Sequence, residues 1–377
     1  MKTNSKNYTE ILEEICTTTI APEAEKIDRN GTFPEKSINT LKKSGLLGAV
    51  SSPEVDGLGL GIRGATTIVE RIGKECGSTA MVVMMHFAGT AVLEAFASKE
   101  IRKAAARGQH LSTLAFSESS SRSHFWTPTG TASRNDNTVV LNAHKSWVTS
   151  ATQATAYIWS SQPVESKGKS TLWLVPANSE GLSIDRVFNG LGLRGNNSSS
   201  IAASKVKVPF SARLGPDGSG FDTMIKIVLP MFCLCNAAAS VGFMRAAIDR
   251  TASHATNTQY QHVPSSLADL PTIRNYIGRM KVLTDASRSL LLEAVSAVEN
   301  GRTNALFQVF TSKAAAGESV TQVLDLAMRI CGGAAFRKDV GVERYFRDAR
   351  AAGIMGPTTD ILYDFIGKTV CGMELFS

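Results

Sequence analysis

The periodicity of the apolar residues changes character twice along this chain, and that limits what it can fold into. From Tyr8 to about His110 they recur at helical spacing: Ile11, Ile15 and Ile20, then Ile38, Leu41, Leu46 and Leu47, then Val82, Val83, Phe87, Val92 and Phe96. The glycine-rich stretch from Asp56 to Gly61 interrupts them as a turn. From Leu111 to about Leu214 the pattern becomes short runs of β-branched and aromatic residues. Thr138 to Leu141, Ala156 to Trp159 and Ser170 to Val175 are such runs, separated by the turn-forming Asn135-Asp136-Asn137 and Ser166-Lys167-Gly168. From Gly220 onward helical spacing returns in Met244, Ala247, Ile248 and Thr251, in Leu283, Ala286, Leu290, Leu291 and Ala294, and in Val320, Val323, Leu324, Ala327 and Ile330. An α+β chain is expected, with an N-terminal helical domain over 1–110, a central β domain over 111–219 and a C-terminal antiparallel helical bundle over 220–377.

With 377 residues, 43% of them hydrophobic, the chain can bury a large core. No uninterrupted apolar run reaches the ~18 residues that suggest a membrane helix, so no span is expected. The N-terminal stretch Met1 to Glu10 is polar and lacks the apolar centre of a secretory signal, which makes a cytoplasmic location the default expectation. Forty Lys+Arg against 33 Asp+Glu leave a net charge of +7 with no clustered basic stripe, which argues against nucleic acid as a partner. The same mild excess suits an anionic cofactor or a CoA-linked substrate. Cys16, Cys76, Cys233, Cys235, Cys331 and Cys371 are scattered without a Cys-x-x-Cys pair, so buried or incidental thiols are expected and no metal site.

Several short motifs follow one another in a fixed order. Pro53-Glu54-Val55-Asp56-Gly57-Leu58-Gly59 comes first, then Phe116-Ser117-Glu118 with Ser123 beyond it, then Lys145-Ser146-Trp147-Val148-Thr149. Gly192-Leu193-Arg194, Val206-Lys207-Val208-Pro209 and Leu214-Gly215 come next. The chain closes with Cys331-Gly332-Gly333-Ala334-Ala335-Phe336, the stretch from Val342 to Arg350, and Gly356-Pro357-Thr358. Taken in this order, the motifs resemble those of the acyl-CoA dehydrogenases over nearly the whole chain.

That resemblance implies the fold described above and FAD as cofactor. It implies contacts to the flavin from Phe116, Ser117, Ser123, Trp147 and Thr149, and further cofactor contacts from Thr358 and Asp360. A flavin needs donors near its polar edge and an aromatic wall, and these residue types supply them. Arg329, Gly332 and Gly333 correspond to the loop that receives the adenine end of FAD from a neighbouring subunit, which implies a homodimer or a homotetramer. The family usually has Gln where this chain has Arg329, whose guanidinium suits a pyrophosphate. It also has Arg-x-x-Phe-Gly where this chain reads Thr258-Gln259-Tyr260-Gln261-His262.

The largest departure concerns the glutamate that removes the α-proton of an acyl-thioester in this family. Its place is Gly356, and the alternative place used by some members is Phe232, followed by Cys233 where an arginine is expected. The remaining candidates are His124, beside the expected flavin segment, Asp360, four residues past Gly356, and His86, although a lone histidine among apolar residues is more often a core histidine. Relatives of this fold that lack the glutamate include flavin monooxygenases that use O2. An FAD-dependent oxidoreductase acting on a CoA-linked (acyl or aryl thioester) or related small substrate, with O2-using chemistry, is therefore the expectation. The alternatives are an acyl-CoA dehydrogenase with a relocated base and a non-catalytic flavin-binding partner protein.

Overall fold

A computed structural model of the chain describes residues 7–122 and 124–375. Helices come first: α1 (Tyr8–Ile15) runs on through Cys16–Ile20 into α2 (Ala21–Asn30), followed by α3 (Glu35–Lys43), α4 (Gly61–Gly73), α5 (Gly77–Phe96) and α6 (Lys99–Ala106). Seven strands follow: β1 (Ser112–Ala115), β2 (Thr131–Asn135), β3 (Thr138–Val148), β4 (Ala156–Ser161), β5 (Thr171–Pro176), β6 (Leu182–Ile184) and β7 (Ser199–Pro209). Helices then return as α7 (Gly220–Thr223), α8 (Leu229–Asn257), α9 (Pro271–Glu299), α10 (Ala305–Cys331), α11 (Val342–Ile354) and α12 (Thr359–Val370). The chain divides into two compact units, Met1–Ala65 with Met81–Gly190 and Arg194–Phe232, and Thr66–Ala80 with Leu191–Leu193 and Cys233–Ser377.

In the first unit the strands form two sheets, ordered β1-β4-β5 and β2-β3-β7-β6. Only the β1–β4 pair is parallel; the rest are antiparallel. Alternation along β3 sends Val139 and Leu141 inward, and a register shift after Lys145 brings Val148 to the same face; they pack with Tyr157, Trp159, Trp173, Ile201, Val206 and Val208 in one apolar core. Two of these buried aromatics have partners for their polar tips: Tyr157 donates its hydroxyl to Ala151 O at 2.6 Å, and Trp173 donates Nε1 to Ser161 Oγ at 2.9 Å, whereas the Trp159 indole nitrogen has none among the described residues. The helical layer is tied to β1 by His86, a buried residue of α5. Its Nδ1 accepts from Ser112 N at 3.2 Å, so Nε2, 3.0 Å from Leu47 O, carries the proton. His86 is thus a core histidine with both nitrogens occupied.

In the second unit, α9 and α10 form an antiparallel hairpin, with α11 and α12 packed on α10. A buried carboxylate staples three helices together: Glu70 of α4 accepts from Arg245 of α8 at 2.6 Å and from Arg288 of α9 at 3.0 Å. The buried face of α10 includes Val320, Val323, Leu324, Ala327 and Ile330, as their spacing predicts. For α9 the spacing misleads. Ala286 and Leu290 lie outside, and the buried face is Ile273, Met280, Thr284, Ser287, Leu291, Ala294 and Val295. Thr284 and Ser287 can turn inward because their hydroxyls donate to Met280 O and Leu283 O, at 2.8 and 2.9 Å.

Two helical stretches, Gly77–Phe96 and Gly220–Asn257, are long and apolar enough to cross a membrane by length and composition, which counting uninterrupted apolar residues did not reveal. Small and hydroxyl-bearing residues interrupt the apolar runs without lowering mean hydropathy much. The most apolar windows are 78% and 89% buried inside the protein, so packing already uses those faces.

His86 makes the fold sensitive to acid. Burial holds its pKa down to about 4, against about 6.5 in an unfolded chain. Above the unfolded value neither state binds the proton. As pH falls from about 6.5 towards 4 only the unfolded chain takes it up, and stability is lost. Urea unfolding between pH 7 and 4.5 should show a decline of up to ~3 kcal/mol from this residue, and His86→Gln should flatten that slope.

Candidate functional site

The described residues read as flavin contacts lie in the first unit, where the last residues of β3 and the segment that follows it meet the segment that leaves β1. One hydrogen bond joins their backbones, Ser146 N to Ser117 O at 2.8 Å. One buried ion pair joins their side chains, Lys145 Nζ to Glu118 Oε1 at 2.6 Å. Lys145 sits at an inward register position of β3 and also donates to Ser160 O at 2.7 Å and Ser160 Oγ at 2.9 Å, so each ammonium proton has an acceptor. Glu118 accepts in addition from Thr129 N at 2.6 Å, Thr129 Oγ1 at 2.5 Å and Gly130 N at 3.1 Å.

Burial pulls Lys145 down to about 8 against the opposing pull of Glu118. Burial pushes Glu118 up, but the Lys145 charge and the Lys145 and Thr129 donors outweigh it and leave the carboxyl below its ordinary range. Both groups are therefore ionised at neutral pH.

Between the inward residues Lys145 and Val148 the register with β7 shifts, and Ser146 and Trp147 bulge out. Trp147 adopts φ +57° and is 67% exposed, with its ring 4.5 Å from that of Phe188. Ser150 and Asn197 nearby also have positive φ, and the Ser150 and Ala151 amides donate to Asn196 O and Asn197 O, both at 2.9 Å. A large aromatic held in the left-handed region and exposed to solvent is costly for a chain on its own. Thr149 is buried, and its hydroxyl lies 3.5 Å from Ser198 Oγ, at the limit of a hydrogen bond. Ser117 is half-buried, and Phe116 is buried and stacked on Phe125. The Ser121 hydroxyl is buried with no hydrogen-bond partner among the described residues. An exposed aromatic wall beside underused hydroxyls fits a planar ring with a polar edge, as a flavin is. Ser123 lies outside the described residues. His124 is exposed, edge-on to Trp126.

The second unit holds the other predicted residues. Gly356, half-buried, and Pro357 form the turn between α11 and α12, and Thr358 caps α12 by accepting from Ile361 N at 3.4 Å. Asp360 is exposed in the first turn of α12. Arg329 is exposed near the end of α10, its guanidinium 5.4 Å from the ring of Tyr276 and 4.0 Å from Asp325. Gly332 ends that helix at φ +54°, ψ −135°, a conformation reserved for glycine, and Gly332 and Gly333 are both exposed. Thr258, where the family has arginine, donates its hydroxyl to His254 O at 2.8 Å. Phe232 of α8 is half-buried. A surface groove of about 470 Å³ lined by Lys74, Asp249, Arg250, His254, Asn257 and Thr258 holds none of the predicted site residues, and its Lys74 and Asp249 already pair at 2.6 Å.

Sequence reading missed the Lys145–Glu118 pair as an organising contact, although a lysine in phase with Val139 and Leu141 was a usable signal. It also missed Phe188 beneath Trp147, for which there was no signal.

Comparison with known proteins accounts for this architecture. Three family models match in succession: the acyl-CoA dehydrogenase N-terminal domain over residues 4–108, the middle domain over 113–206 and the C-terminal domain over 218–371. The chain belongs to the acyl-CoA dehydrogenase superfamily of flavoproteins, whose cofactor is FAD. It is 26% identical over 369 residues to the cyclohex-1-ene-1-carbonyl-CoA dehydrogenase of Geobacter metallireducens, covering 96% of both chains. Its fold is that of the butyryl-CoA dehydrogenase of Megasphaera elsdenii, with TM-score 0.90 at 21% identity over 98% of this chain and 100% of the other. It is also similar to the prolyl acyl carrier protein oxidase AnaB, with TM-score 0.88 at 18% identity over 97% and 100%.

Glu118→Ala should cost ~3–5 kcal/mol in chemical denaturation, because it leaves the Lys145 ammonium buried without its counter-ion. The double replacement Glu118→Leu with Lys145→Met should cost much less, while weakening FAD binding if the pair shapes the bulge at Trp147.

Proposed function

We propose that this protein is an FAD-dependent oxidoreductase acting on a CoA-linked or related small substrate, with O2 rather than simple α,β-desaturation in its reaction. FAD supplies the two-electron redox chemistry. Ser117 and Thr149 are read as hydroxyl donors to the polar edge of the ring and Trp147 as its wall. The exposed Arg329, Gly332 and Gly333, with nothing of their own chain within 4 Å of a Cβ built on either glycine, suit a cofactor end brought by a second copy. A homodimer or homotetramer follows from that reading.

The observation that carries the proposal is the lack of a proton acceptor at both places where the family keeps one. Gly356 has no side chain and Phe232 is apolar. His86 is no substitute, because it is buried with both nitrogens engaged. A positioned general base contributes ~10²–10⁴-fold, so α-proton removal at the usual place is disfavoured by at least that factor.

A second reading, a dehydrogenase with a relocated base, is favoured by the name of the Geobacter metallireducens relative, an acyl-CoA-type dehydrogenase. Asp360 and His124, both exposed, are the groups to replace first under that reading.

Anaerobic mixing of the FAD-loaded protein with butyryl-CoA separates the two. The proposal expects slow, incomplete loss of the flavin's visible absorbance, with Gly356→Glu accelerating it. Rapid bleaching of the wild type with crotonyl-CoA as product would establish the dehydrogenase instead.

A further inference from the structure

Lys313 of α10 is fully buried in the second unit. Its Nζ donates to three backbone carbonyls, Pro357 O at 2.7 Å, Met355 O at 3.0 Å and Ala352 O at 3.4 Å. An ammonium has three protons, so all are engaged. Ala352 lies in the last turn of α11, where carbonyls lack intrahelical partners and the helix end favours a cation. Met355 and Pro357 flank Gly356 on either side.

No carboxylate pairs with Lys313 among the described residues, in contrast to Lys145. The titratable group that acts on it is the Cys233 thiol of α8, which burial pushes up to about 12 and so leaves neutral. Burial in turn pulls Lys313 down to about 8. A lone buried ammonium is expensive, and a residue such as methionine would fill the same place without that penalty. What the lysine does that methionine cannot is hold carbonyls. The helices also pack closely beside it: at Gly317, one turn along α10, an added Cβ would lie 3.2 Å from Thr359 Oγ1 and 3.6 Å from Gly353 Cα.

We propose that Lys313 is a positioning residue: its ammonium clamps the end of α11 and the turn at Gly356 into one conformation. The turn thus keeps a fixed backbone although residue 356 has no side chain to anchor it. The link to turnover rests on the reading that this turn lies at the reacting centre; the clamp itself does not.

The test is amide hydrogen exchange on the FAD-loaded full chain, comparing wild type with Lys313→Met and with Lys313→Gln, which keeps two donors. Lys313→Met should speed exchange roughly tenfold from Met355 to Ile361, leaving mid-α9 and the first turns of α10 unchanged. Lys313→Gln should recover part of the protection, and it serves as the readable variant where Lys313→Met folds poorly. Titration with butyryl-CoA adds a second readout, in which the ligand-induced change in the flavin spectrum should shrink in Lys313→Met and partly return in Lys313→Gln. Unchanged exchange at the turn would overturn the proposal. So would acceleration spread equally over α9 to α12, which would mean general loss of stability. A wild type whose flavin ignores butyryl-CoA counts against the substrate reading, and the exchange result still decides the clamp.

Discussion

The first unit depends on one buried ion pair. With Lys145 and Glu118 out of water, neither charge is tolerable without the other, and their 2.6 Å contact fixes the end of β3 against the segment that leaves β1. Everything local follows from that anchor. Lys145 must point inward, Val148 must point inward for the apolar core, and the two residues between them have no place in the ladder. They bulge, Trp147 takes a left-handed backbone, and its ring stands in solvent over Phe188. The left-handed backbone at Trp147 thus sits between a buried charged anchor and a buried apolar one.

In the second unit the residues that made the chain recognisable do structural work. Arg344 donates to Glu75 O at 2.9 Å, Tyr345 donates its hydroxyl to Lys74 O at 2.6 Å, and Asp348 accepts from Leu193 N at 2.6 Å. Glu343 is held by Lys338 at 2.7 Å and by Arg347 at 2.6 Å. The stretch from Val342 to Arg350 therefore pins α11 to the turn between α4 and α5. These contacts hold the fold that marks family membership, whereas chemistry turns on a few side chains, and Gly356 has none.

Much of the fold was legible because periodicity reports burial directly. The three strand runs around residues 138–141, 156–159 and 170–175 fall in β3, β4 and β5, and the inward face of α10 matches its spacing. The face of α9 was not legible, because Thr284 and Ser287 look polar in the sequence but satisfy their hydroxyls within their own helix, freeing Ala286 and Leu290 to face outward. Of the candidate site, Ser117, Trp147 and Thr149 could be named from motif order, but the bulge that exposes Trp147 could not. It arises from two inward anchors three residues apart, and only pairing with β7 shows the resulting shift. Lys313 was equally hidden: a lysine on a helix reads as surface until the carbonyls it holds are seen.

The central claim of the proposed function is that no proton-accepting side chain stands at Gly356 or Phe232, the two places where the family keeps its base, to take the α-proton of an acyl-thioester. Deuterium exchange at that carbon tests it without requiring any redox step. Butyryl-CoA incubated with the FAD-loaded protein in D2O should gain deuterium at its α-carbon no faster than in buffer alone. Incorporation far above that background would show a working base and would contradict the account.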